Sequence, residues 1–532
     1  MERPLDGAVK LENLPEEIAV RWPDQVRVDV DPQNGLCLME CEASVLKEVC
    51  SWLFSKQGFS FASLVAEEEH AEFSLRYIFY LENGQVHILH GIPKTKATVP
   101  SISHFVHAAD WHEREAEDLF GLVFEGHPRL GDFVLHEEWP EGVNPMRADF
   151  DSSKPYVHRE VNPYWRPVKI VQAPGAFMMP IGPIYSDFAE SAHFLLETVG
   201  EDVIRTIPRF FYKYRGVEKI AEGRTVDEVL LLAERFSGTS AFNHSLAFCQ
   251  AVEEISKVEV PHRAKALRIV FAELERLRHH VGSIAGICGS TALAVAASQA
   301  SILEEELLRL CCAVTGHRYL FGLNTPGGVA MDFSNEVLQN LTDTVQGLFK
   351  KLEGLKQMLR FSSSFLDRLE EVGTVSLESA ASYGLVGPIA RASGINRDLR
   401  RVLPYSGYEK VEFIIPCEQE GDGYARLRVL FSEAEQSVNI IRQVTSSLPS
   451  GPTVSAPFEV TRGAALGWVE APKGATFHWV RTGEGGRVVR YRITPPSFTN
   501  WHGFHLAAED FAFQDFPIIM ATFGLSNAES DR

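Results

Sequence analysis

The stretch RFSGTSAFNH, residues 235–244, decides how this 532-residue chain is interpreted. Ser237 and Ser240 are separated by two residues, the spacing of the cysteine pairs that ligate zinc or an iron–sulfur cluster. A serine hydroxyl has a far higher pKa than a thiol and is a poor ligand for soft metals. The turn therefore has the outline of a metal-binding motif, with serine at the two places where thiolates are expected.

The composition is that of a soluble globular protein. Apolar residues make up 45% of the chain and charged residues 23%, and the length allows two or three domains, each with its own core. The net charge of −20 excludes nucleic acid as the expected partner, because no concentrated basic face offsets the repulsion of a polyanion.

The eight cysteines, at positions 37, 41, 50, 249, 288, 311, 312 and 417, form no Cys-x-x-Cys pair. Their pattern is typical of reduced, mostly buried thiols in an intracellular protein. The N-terminal residues MERPLD lack the basic and apolar regions of a signal peptide. These features predict a cytoplasmic location.

One segment is long enough to span a membrane. Val281–Leu303 carries no charged residue over 23 positions, but it contains more Gly, Ser, Thr and Ala than Leu or Phe, and charged residues flank it closely. We expect buried helices that pack closely through small side chains. Attachment to a membrane then depends on partner subunits.

The first part of the chain has an α+β pattern. Short β-like runs at 25–30, 73–80 and 86–90, with a helical run at 44–56, predict a small antiparallel or mixed sheet. A further helix is predicted from about residue 109, with Trp111, Glu115 and Asp118 on one face. That face is either part of an ordinary amphipathic helix or a docking surface.

The rest of the chain is predicted to be mainly α-helical with peripheral strands. Residues 140–168 are rich in proline and charge, so we place the domain boundary near residue 165, between domains 1–165 and 166–532. Predicted helices lie around 227–233, 264–280, 300–314, 336–369 and 432–447, and a strand around 487–493.

Two motifs in the first domain resemble a known family. EREAEDLFG at 113–121, followed by FEGHP at 124–128, is similar to the signature of the 30 kDa subunit of respiratory complex I, which group 4 membrane-bound hydrogenases share. The resemblance implies a docking domain that holds no cofactor.

The second domain resembles the large subunit of group 4 [NiFe] hydrogenases and its descendant, the 49 kDa subunit of complex I. The fused order is that of formate-hydrogenlyase subunit 5 type proteins. The resemblance rests on ordered segments: PIGP at 180–183, YRGVEK at 214–219, residues 261–278, TGHR at 315–318 with PGG at 326–328, GPIARASG at 387–394, and EAPKG at 470–474.

The residues that hold nickel and iron in that family are replaced here. The family uses two Cys-x-x-Cys pairs, because soft thiolates suit these metals. Ser237 and Ser240 occupy the places of the first pair, and Ser526 and Glu529 those of the second. The resemblance therefore implies a hydrogenase-related complex whose large subunit lacks the Ni–Fe ligands.

The quinone contacts of complex I are also replaced. Tyr185 and Ala189 stand at the places of two histidines, and Gly238 at that of a tyrosine. Neither set of functional residues is intact.

The resemblance implies the core subunit of a membrane-associated, NADH dehydrogenase-like oxidoreductase complex. It would carry electrons from an iron–sulfur partner, similar to the iron–sulfur small subunit of complex I, to quinone or another small acceptor. Membrane subunits of an antiporter-like module would hold it on the inner face of the cell membrane. The iron–sulfur clusters would belong to partner subunits, and no cofactor would be bound by this chain except a quinone in the vestigial pocket.

The candidate site follows from the same alignment of motifs. We predict that Tyr185 and His244 hydrogen-bond the quinone carbonyls and that Glu529 or Glu218 supplies protons. The hydroxyl groups that would line the pocket belong to Ser237, Thr239, Ser240 and Ser526.

A non-catalytic scaffold that joins soluble and membrane modules is the alternative. A pocket that is open and apolar at its mouth favours a small acceptor. A pocket that is filled by Phe236, Phe242 and Phe523 favours the scaffold.

Overall fold

A computed structural model describes residues 11–32, 34–69, 71–161, 170–171, 174–185 and 190–532. The chain divides into two compact units, Met1–Val168 with Ser382–Gly384 and Lys169–Ala381 with Leu385–Arg532. The predicted boundary near residue 165 and the position of Ala189 lie outside the described residues.

A five-stranded mixed sheet forms the first unit, in the order β1-β2-β5-β4-β3. Strands β2 and β5 pair in parallel, and the other neighbours are antiparallel. The α+β prediction is thus confirmed. The elements are α1 (Leu14–Arg21), β1 (Val26–Asp31), β2 (Leu36–Cys41), α2 (Leu46–Ser51), β3 (Ser60–Glu68), β4 (Glu72–Leu81), β5 (Gly84–Pro93), β6 (Thr98–Pro100), α3 (Asp110–Phe120) and β7 (Val123–Glu125).

Of the two alternatives for the face of helix α3 that carries Trp111, Glu115 and Asp118, the structure favours an ordinary amphipathic helix. Trp111 and Glu115 are buried within the unit. The Asp118 carboxylate accepts three backbone N–H groups, from residues 133, 134 and 135. The helix ends at Gly121, whose φ of 72° suits a glycine C-cap. The side chains of this face therefore hold a loop of their own unit.

The second unit is mainly helical, as predicted, with small antiparallel sheets at its periphery. Its helices are α4 (Val217–Ala221), α5 (Val226–Arg235), α6 (Ala241–Ser256), α7 (His262–Ser290), α8 (Ala294–Thr315), α9 (Asn335–Arg360), α10 (Ser363–Leu366), α11 (Leu377–Ser382), α12 (Gly387–Ala392), α13 (Leu399–Val402), α14 (Gly423–Ser446), α15 (Pro496–Ala507), α16 (Phe516–Phe523) and α17 (Asn527–Asp531). Its strands are β8 (Ala176–Ile181), β9 (His193–Val199), β10 (Asp202–Arg209), β11 (Asn324–Thr325), β12 (Gly328–Val329), β13 (Gly463–Ala471), β14 (Gly474–Thr482), β15 (Val488–Thr494) and β16 (Glu509–Ala512).

Long helices form the core of this unit. Helix α7 packs against α8 and α14, and α9 packs against both of these neighbours. Helix α6 lies on the three-stranded sheet β13-β14-β15. This sheet and α6 carry the residues of the candidate site.

The uncharged segment forms a helix, a turn and a second helix. Helix α7 ends at Ser290 and α8 begins at Ala294. The expected burial holds for many of its residues, but Val295 and Ile302 are 66% and 57% exposed. In the described part of the chain, no helix is long and apolar enough to cross a membrane.

A buried arginine–carboxylate cluster ties the long helices to the sheet. Arg391 lies 2.7 Å from Glu433, 2.8 Å from Glu470 and 3.6 Å from Asp398. Arg400 lies 2.7 Å from Asp398 and 2.9 Å from Glu273. The cluster consists of Glu273, Arg276, Arg391, Asp398, Arg400, Glu433 and Glu470.

Candidate functional site

The serine turn connects α5 to α6. Ser237 is extended, residues 238–240 form one 3-10 turn, and α6 begins at Ala241. The hydroxyls of Ser237 and Thr239 are 3.4 Å apart. Ser240 is fully buried, and its hydroxyl has no hydrogen-bond partner among the described residues. The turn thus presents buried hydroxyl groups, one of which is unsatisfied.

One turn into α6, His244 belongs to a chain of hydrogen bonds that we call the histidine–glutamate chain. The Tyr491 hydroxyl lies 2.8 Å from His478 Nδ1, and His478 Nε2 lies 3.0 Å from His244 Nδ1. His244 Nε2 lies 3.2 Å from Glu529 Oε1. All four side chains are buried, and they come from α6, β14, β15 and α17.

The charge of Glu529 fixes the direction of these hydrogen bonds. Burial alone raises the pKa of Glu529, but the Lys473 ammonium group and the hydrogen bond from His244 lower it to about 2. An ionised carboxylate only accepts, so His244 Nε2 carries the proton and donates it. With a neutral His244 ring, its Nδ1 accepts from His478, and His478 Nδ1 accepts from Tyr491. Burial, followed by the influence of His244, holds the pKa of His478 well below its usual range, which is consistent with a neutral ring.

Lys473 connects this chain to the serine turn. Its ammonium group donates to the Thr239 hydroxyl at 2.8 Å and lies 3.5 Å from Glu529 Oε2. The Ser497 hydroxyl donates to the same carboxylate oxygen. Polar groups therefore run without a break from Tyr491, through Glu529 and Lys473, to Thr239.

Ser526 holds the last helix in place. Its hydroxyl accepts from the Glu529 N–H at 3.1 Å, which caps α17, and it donates to the Glu190 carboxylate at 3.0 Å. Glu190 also accepts the Ala528 N–H at 2.8 Å. These contacts place the Glu529 side chain opposite His244, so Ser526 and Glu529 lie at one site, as the sequence predicts.

Tyr185 is engaged in its own loop after β8. Its hydroxyl donates to the Ala192 carbonyl at 3.0 Å. The role predicted for Tyr185 as a quinone ligand remains a prediction.

Glu218 lies in a different cluster. It contacts Arg490 at 2.9 Å, Arg492 at 3.3 Å and Arg532 at 3.7 Å. Burial raises its pKa, but these guanidinium groups overcome that effect and lower the pKa to about 2. A carboxylate held in its ionised form by three cations is a poor proton donor.

Arg215 braces the site from outside, whereas Lys219 forms a local ion pair. Arg215 donates to the carbonyls of Phe236, at 2.9 Å, and Ala528, at 2.7 Å, and so joins the serine turn to α17. Lys219 pairs with Glu222 at 2.8 Å.

The three phenylalanines that discriminate between an open and a filled pocket are all buried. The Phe236 ring lies against His244, with 4.5 Å between the ring centroids. Phe242 instead packs towards Phe271, and Phe523 packs against Phe504. Phe236 alone of the three has a described ring contact with the histidine–glutamate chain.

The donors at this site do not fit a binuclear nickel–iron group. Hydroxyls stand at three of the four ligand places, and the fourth, the Glu529 carboxylate, is occupied by His244, Ser497 and Lys473. The Ser526 hydroxyl is likewise engaged, with Glu190. Hard oxygen donors that are already hydrogen-bonded suit soft, thiolate-preferring metals poorly.

Several residues of the site were not predicted. His478 and Tyr491 are on neighbouring strands, and the pairing of β14 with β15 brings them together across 13 positions. Lys473 lies within the EAPKG segment, and this motif is the only sequence feature that could have pointed to it as a site residue. Ser497 and Glu190 carry no recognisable motif.

Comparison with known proteins identifies the type of chain. The family model "Respiratory-chain NADH dehydrogenase, 49 Kd subunit" matches residues 297–462 and 453–532, and the model of its 30 Kd subunit matches 39–156. A model described as "Nickel-dependent hydrogenase" matches 215–282, which includes the serine turn.

Whole-chain relatives agree with these matches. Formate hydrogenlyase subunit 5 of Escherichia coli (strain K12) is 29% identical over 504 residues, which cover 92% of this chain and 88% of the relative. The C/D subunit of NADH-quinone oxidoreductase from Acinetobacter baumannii (strain AYE) is 28% identical over 499 residues, 85% of this chain and 83% of the relative. Hydrogenase-4 component G of Escherichia coli (strain K12) is 28% identical over 439 residues, 81% and 76% of the two chains.

Over most of its length the chain is similar to the fused type, in which a 30 kDa-like part precedes a 49 kDa-like part, as in these complex I and hydrogenase-related proteins. The resemblance of the motifs implies that Ser237 and Ser240 stand at the first pair of metal-ligand positions and Ser526 and Glu529 at the second.

Proposed function

We propose that the chain is a core subunit of a complex I-like oxidoreductase and passes electrons from an iron–sulfur partner to quinone or another small acceptor. The observation that carries this proposal is the continuous polar path from Tyr491 to Thr239. Reduction of a quinone to a quinol takes up two electrons and two protons, so a buried acceptor needs a proton supply. A chain of hydrogen-bonded histidines next to the unsatisfied Ser240 hydroxyl meets that need.

In this proposal the acceptor oxygen binds at the serine turn, where Ser240 has an unsatisfied hydroxyl. A proton that enters at Tyr491 is passed along the chain by one transfer across each hydrogen bond. After the transfer, the donor and the acceptor of that bond have exchanged roles. Glu529 transiently takes up the proton from His244 and passes it to Lys473, where it replaces the proton that Lys473 donates towards Thr239. Electrons arrive separately, from the iron–sulfur partner.

The remaining parts of the proposal follow from the family. The chain itself would hold no nickel–iron centre, because its hydroxyl and carboxylate donors do not fit one. Its partners would be an iron–sulfur protein like the small subunit of complex I and membrane subunits of the antiporter-like kind. The complex would lie on the inner face of the cell membrane, with this chain attached through those partners.

The test uses the intact complex, purified from its native membrane. Its iron–sulfur clusters are reduced, and their reoxidation by a soluble short-chain quinone is followed by electron paramagnetic resonance. His244→Ala is expected to slow reoxidation about 100-fold, because a proton carrier is lost. Tyr185→Phe is expected to slow it about tenfold, the loss of one carbonyl hydrogen bond.

Tyr77→Phe serves as the control. Tyr77 is a buried tyrosine of the first unit whose hydroxyl has no described hydrogen-bond partner, so its loss leaves turnover unchanged. Unchanged rates in both His244→Ala and Tyr185→Phe would remove the quinone site.

The scaffold function is the second candidate, and one observation favours it. Phe236 covers His244, and the members of the histidine–glutamate chain are buried. A scaffold predicts that Phe236→Ala leaves quinone-dependent reoxidation absent, as in the wild-type complex. An acceptor site predicts that the same change alters the apparent KM for quinone.

A further inference from the structure

A small cavity lies between α7, α12, α14 and α16, beside the turn that connects β13 to β14. Its volume of about 20 Å³ exceeds the roughly 10–15 Å³ that one water needs, so the cavity has room for one water molecule or one halide ion. The lining contains no Asp or Glu. It is formed by His279, Ser283, Pro388, Ile389, Arg426, Leu430, Pro472, Lys473, Thr522, Phe523 and Gly524.

Arg426 is a buried cation without an ion-pair partner among the described residues. It is 1% exposed, and its guanidinium group binds neutral acceptors, among them the Gly373 and Gly421 carbonyls and the Thr522 hydroxyl. Its Nε atom is buried with no hydrogen-bond partner. Burial lowers the pKa of Arg426 to about 9, so the group remains charged at neutral pH.

The nearest acidic residue does not neutralise Arg426. Asp422 caps α14 by accepting the Ala425 N–H at 2.7 Å, and its second oxygen accepts the Glu371 N–H at 2.8 Å. A buried charge is costly unless an opposite charge accompanies it. In the arginine–carboxylate cluster of the same unit, each buried arginine pairs with a buried carboxylate. Arg426 has no such partner among the described residues.

Other hydrogen-bonding groups also line the cavity. His279 Nδ1 is buried and has no hydrogen-bond partner, and it is a donor in one of the two neutral tautomers of the ring. The half-buried Ser283 hydroxyl also belongs to the lining. Lys473 adds a second positive charge, which is shared with Glu529 at 3.5 Å. The lining therefore combines apolar residues with hydrogen-bond donors and two positively charged side chains, Arg426 and Lys473.

We propose that this cavity binds one monatomic anion of chloride size, held by Arg426 with His279, Ser283 and Lys473. A halide accepts hydrogen bonds from all sides and supplies the charge that Arg426 lacks. A water molecule fits the volume but leaves the arginine uncompensated. Polyatomic anions such as sulfate exceed the volume, so the site selects by size.

This inference is independent of electron transfer, because it concerns binding alone. Lys473 belongs to both sites, but Arg426, His279 and Ser283 have no described contact with the histidine–glutamate chain. Loss of anion binding therefore leaves the quinone proposal standing, and failure of the quinone test leaves this site standing.

The experiment measures thermal unfolding of the purified complex in sodium chloride, bromide, sulfate and gluconate at equal ionic strength. We expect a saturable rise in the midpoint with chloride and bromide and none with sulfate beyond gluconate, since a ligand of the folded state alone stabilises it. A bromide-soaked crystal is expected to show one anomalous peak beside Arg426 Nε.

Variants separate this site from general salt effects. Ser283→Val places an extra methyl group in the cavity and is expected to weaken the apparent affinity for chloride at least tenfold. Arg426→Met is expected to abolish the response. Arg428→Met changes a more exposed arginine of the same helix, paired with Glu418 and Glu420, and is expected to leave the response unchanged.

The proposal is overturned if chloride and gluconate give the same midpoint in the wild-type complex. It is also overturned if Ser283→Val responds to chloride as the wild-type complex does, even where Arg426→Met fails to fold. A bromide-soaked crystal without an anomalous peak in the cavity overturns it as well, because a water then occupies the cavity.

Discussion

The arginine–carboxylate cluster and the histidine–glutamate chain are both buried in the second unit, but they differ in how their charges are balanced. In the cluster, each carboxylate contacts at least one guanidinium group, and Arg391 alone contacts three carboxylates. In the chain, the one carboxylate, Glu529, has a lysine at 3.5 Å and a histidine at 3.2 Å.

The difference separates a structural network from a site that can carry protons. Guanidinium groups do not lose their protons in proteins, so the cluster has no proton to move without breaking an ion pair. Histidine has two ring nitrogens and exchanges protons near neutral pH. We therefore expect substitutions in the cluster to reduce stability, and substitutions in the chain to reduce turnover.

The largest expected effect is that of Arg391→Met. It leaves Glu433, Glu470 and Asp398 without their shared cation, and removal of one partner from a buried ion pair costs about 3–5 kcal/mol. Arg309→Met removes a pair with Glu305 that lies on the surface, and it is expected to change stability little because solvent screens that pair. Urea unfolding of both variants tests the contrast. Equal losses would mean that the cluster contributes no more than a surface pair.

The second effect is a dependence of stability on pH. Burial raises the pKa of Glu433, but Arg391 and the hydrogen bond from His280 lower it from 4.5 to about 2. Because the folded-state pKa is depressed, this stability is full above about pH 4.5 and is lost as the pH falls towards about 2. The stability that is lost amounts to about 3 kcal/mol, at 1.36 kcal/mol per pKa unit.

Glu433→Gln tests that dependence. Its stability deficit relative to the wild-type protein is expected to be constant near neutral pH and to shrink as the pH falls below about 4.5. Unfolding by urea at a series of pH values measures the deficit. A deficit that does not change with pH would contradict the assignment.

The smallest effect comes from a matched pair of buried tyrosines. Tyr408 donates to Glu273 of the cluster at 2.6 Å, and Tyr491 donates to His478 of the chain at 2.8 Å. Tyr408→Phe is expected to cost about 1.5–3 kcal/mol, since its acceptor is charged, with no effect on quinone turnover. Tyr491→Phe is expected to cost about 1 kcal/mol, the usual loss for a neutral hydrogen bond, and to slow turnover about tenfold. A larger stability loss in Tyr491→Phe, or slower turnover in Tyr408→Phe, would contradict the distinction between the cluster and the chain.

Local patterns predicted much of the fold. The apolar periodicity of α7 and α14 and the alternation in β4 and β5 placed these elements, although their ends differ by several residues. Helix α14 begins nine residues earlier than predicted, at Gly423, because the Asp422 side chain caps it by accepting the Ala425 N–H. The mixed order of the first sheet was not predictable, since strand pairing is a long-range property.

The candidate site was predictable only where a motif marks it. The motif resemblance predicted the serine turn and Glu529 at one site, and the contacts of Lys473 with Thr239 and Glu529 join the two. His478 and Tyr491 became part of the site through strand pairing, which no spacing in the sequence reveals. Glu218 was predicted as a proton source, but three arginines that are distant in sequence surround it.

The proton-carrying role of His244 is tested by comparing two buried histidines that each contact a carboxylate. His244 lies 3.2 Å from Glu529 in the chain, and His280 lies 2.8 Å from Glu433 in the cluster. The measurement is quinone-dependent reoxidation of the iron–sulfur clusters in the intact complex carrying His244→Gln or His280→Gln. We expect a loss of about 100-fold for His244→Gln and wild-type rates for His280→Gln. Equal rates in the two variants would contradict a proton-carrying role for His244.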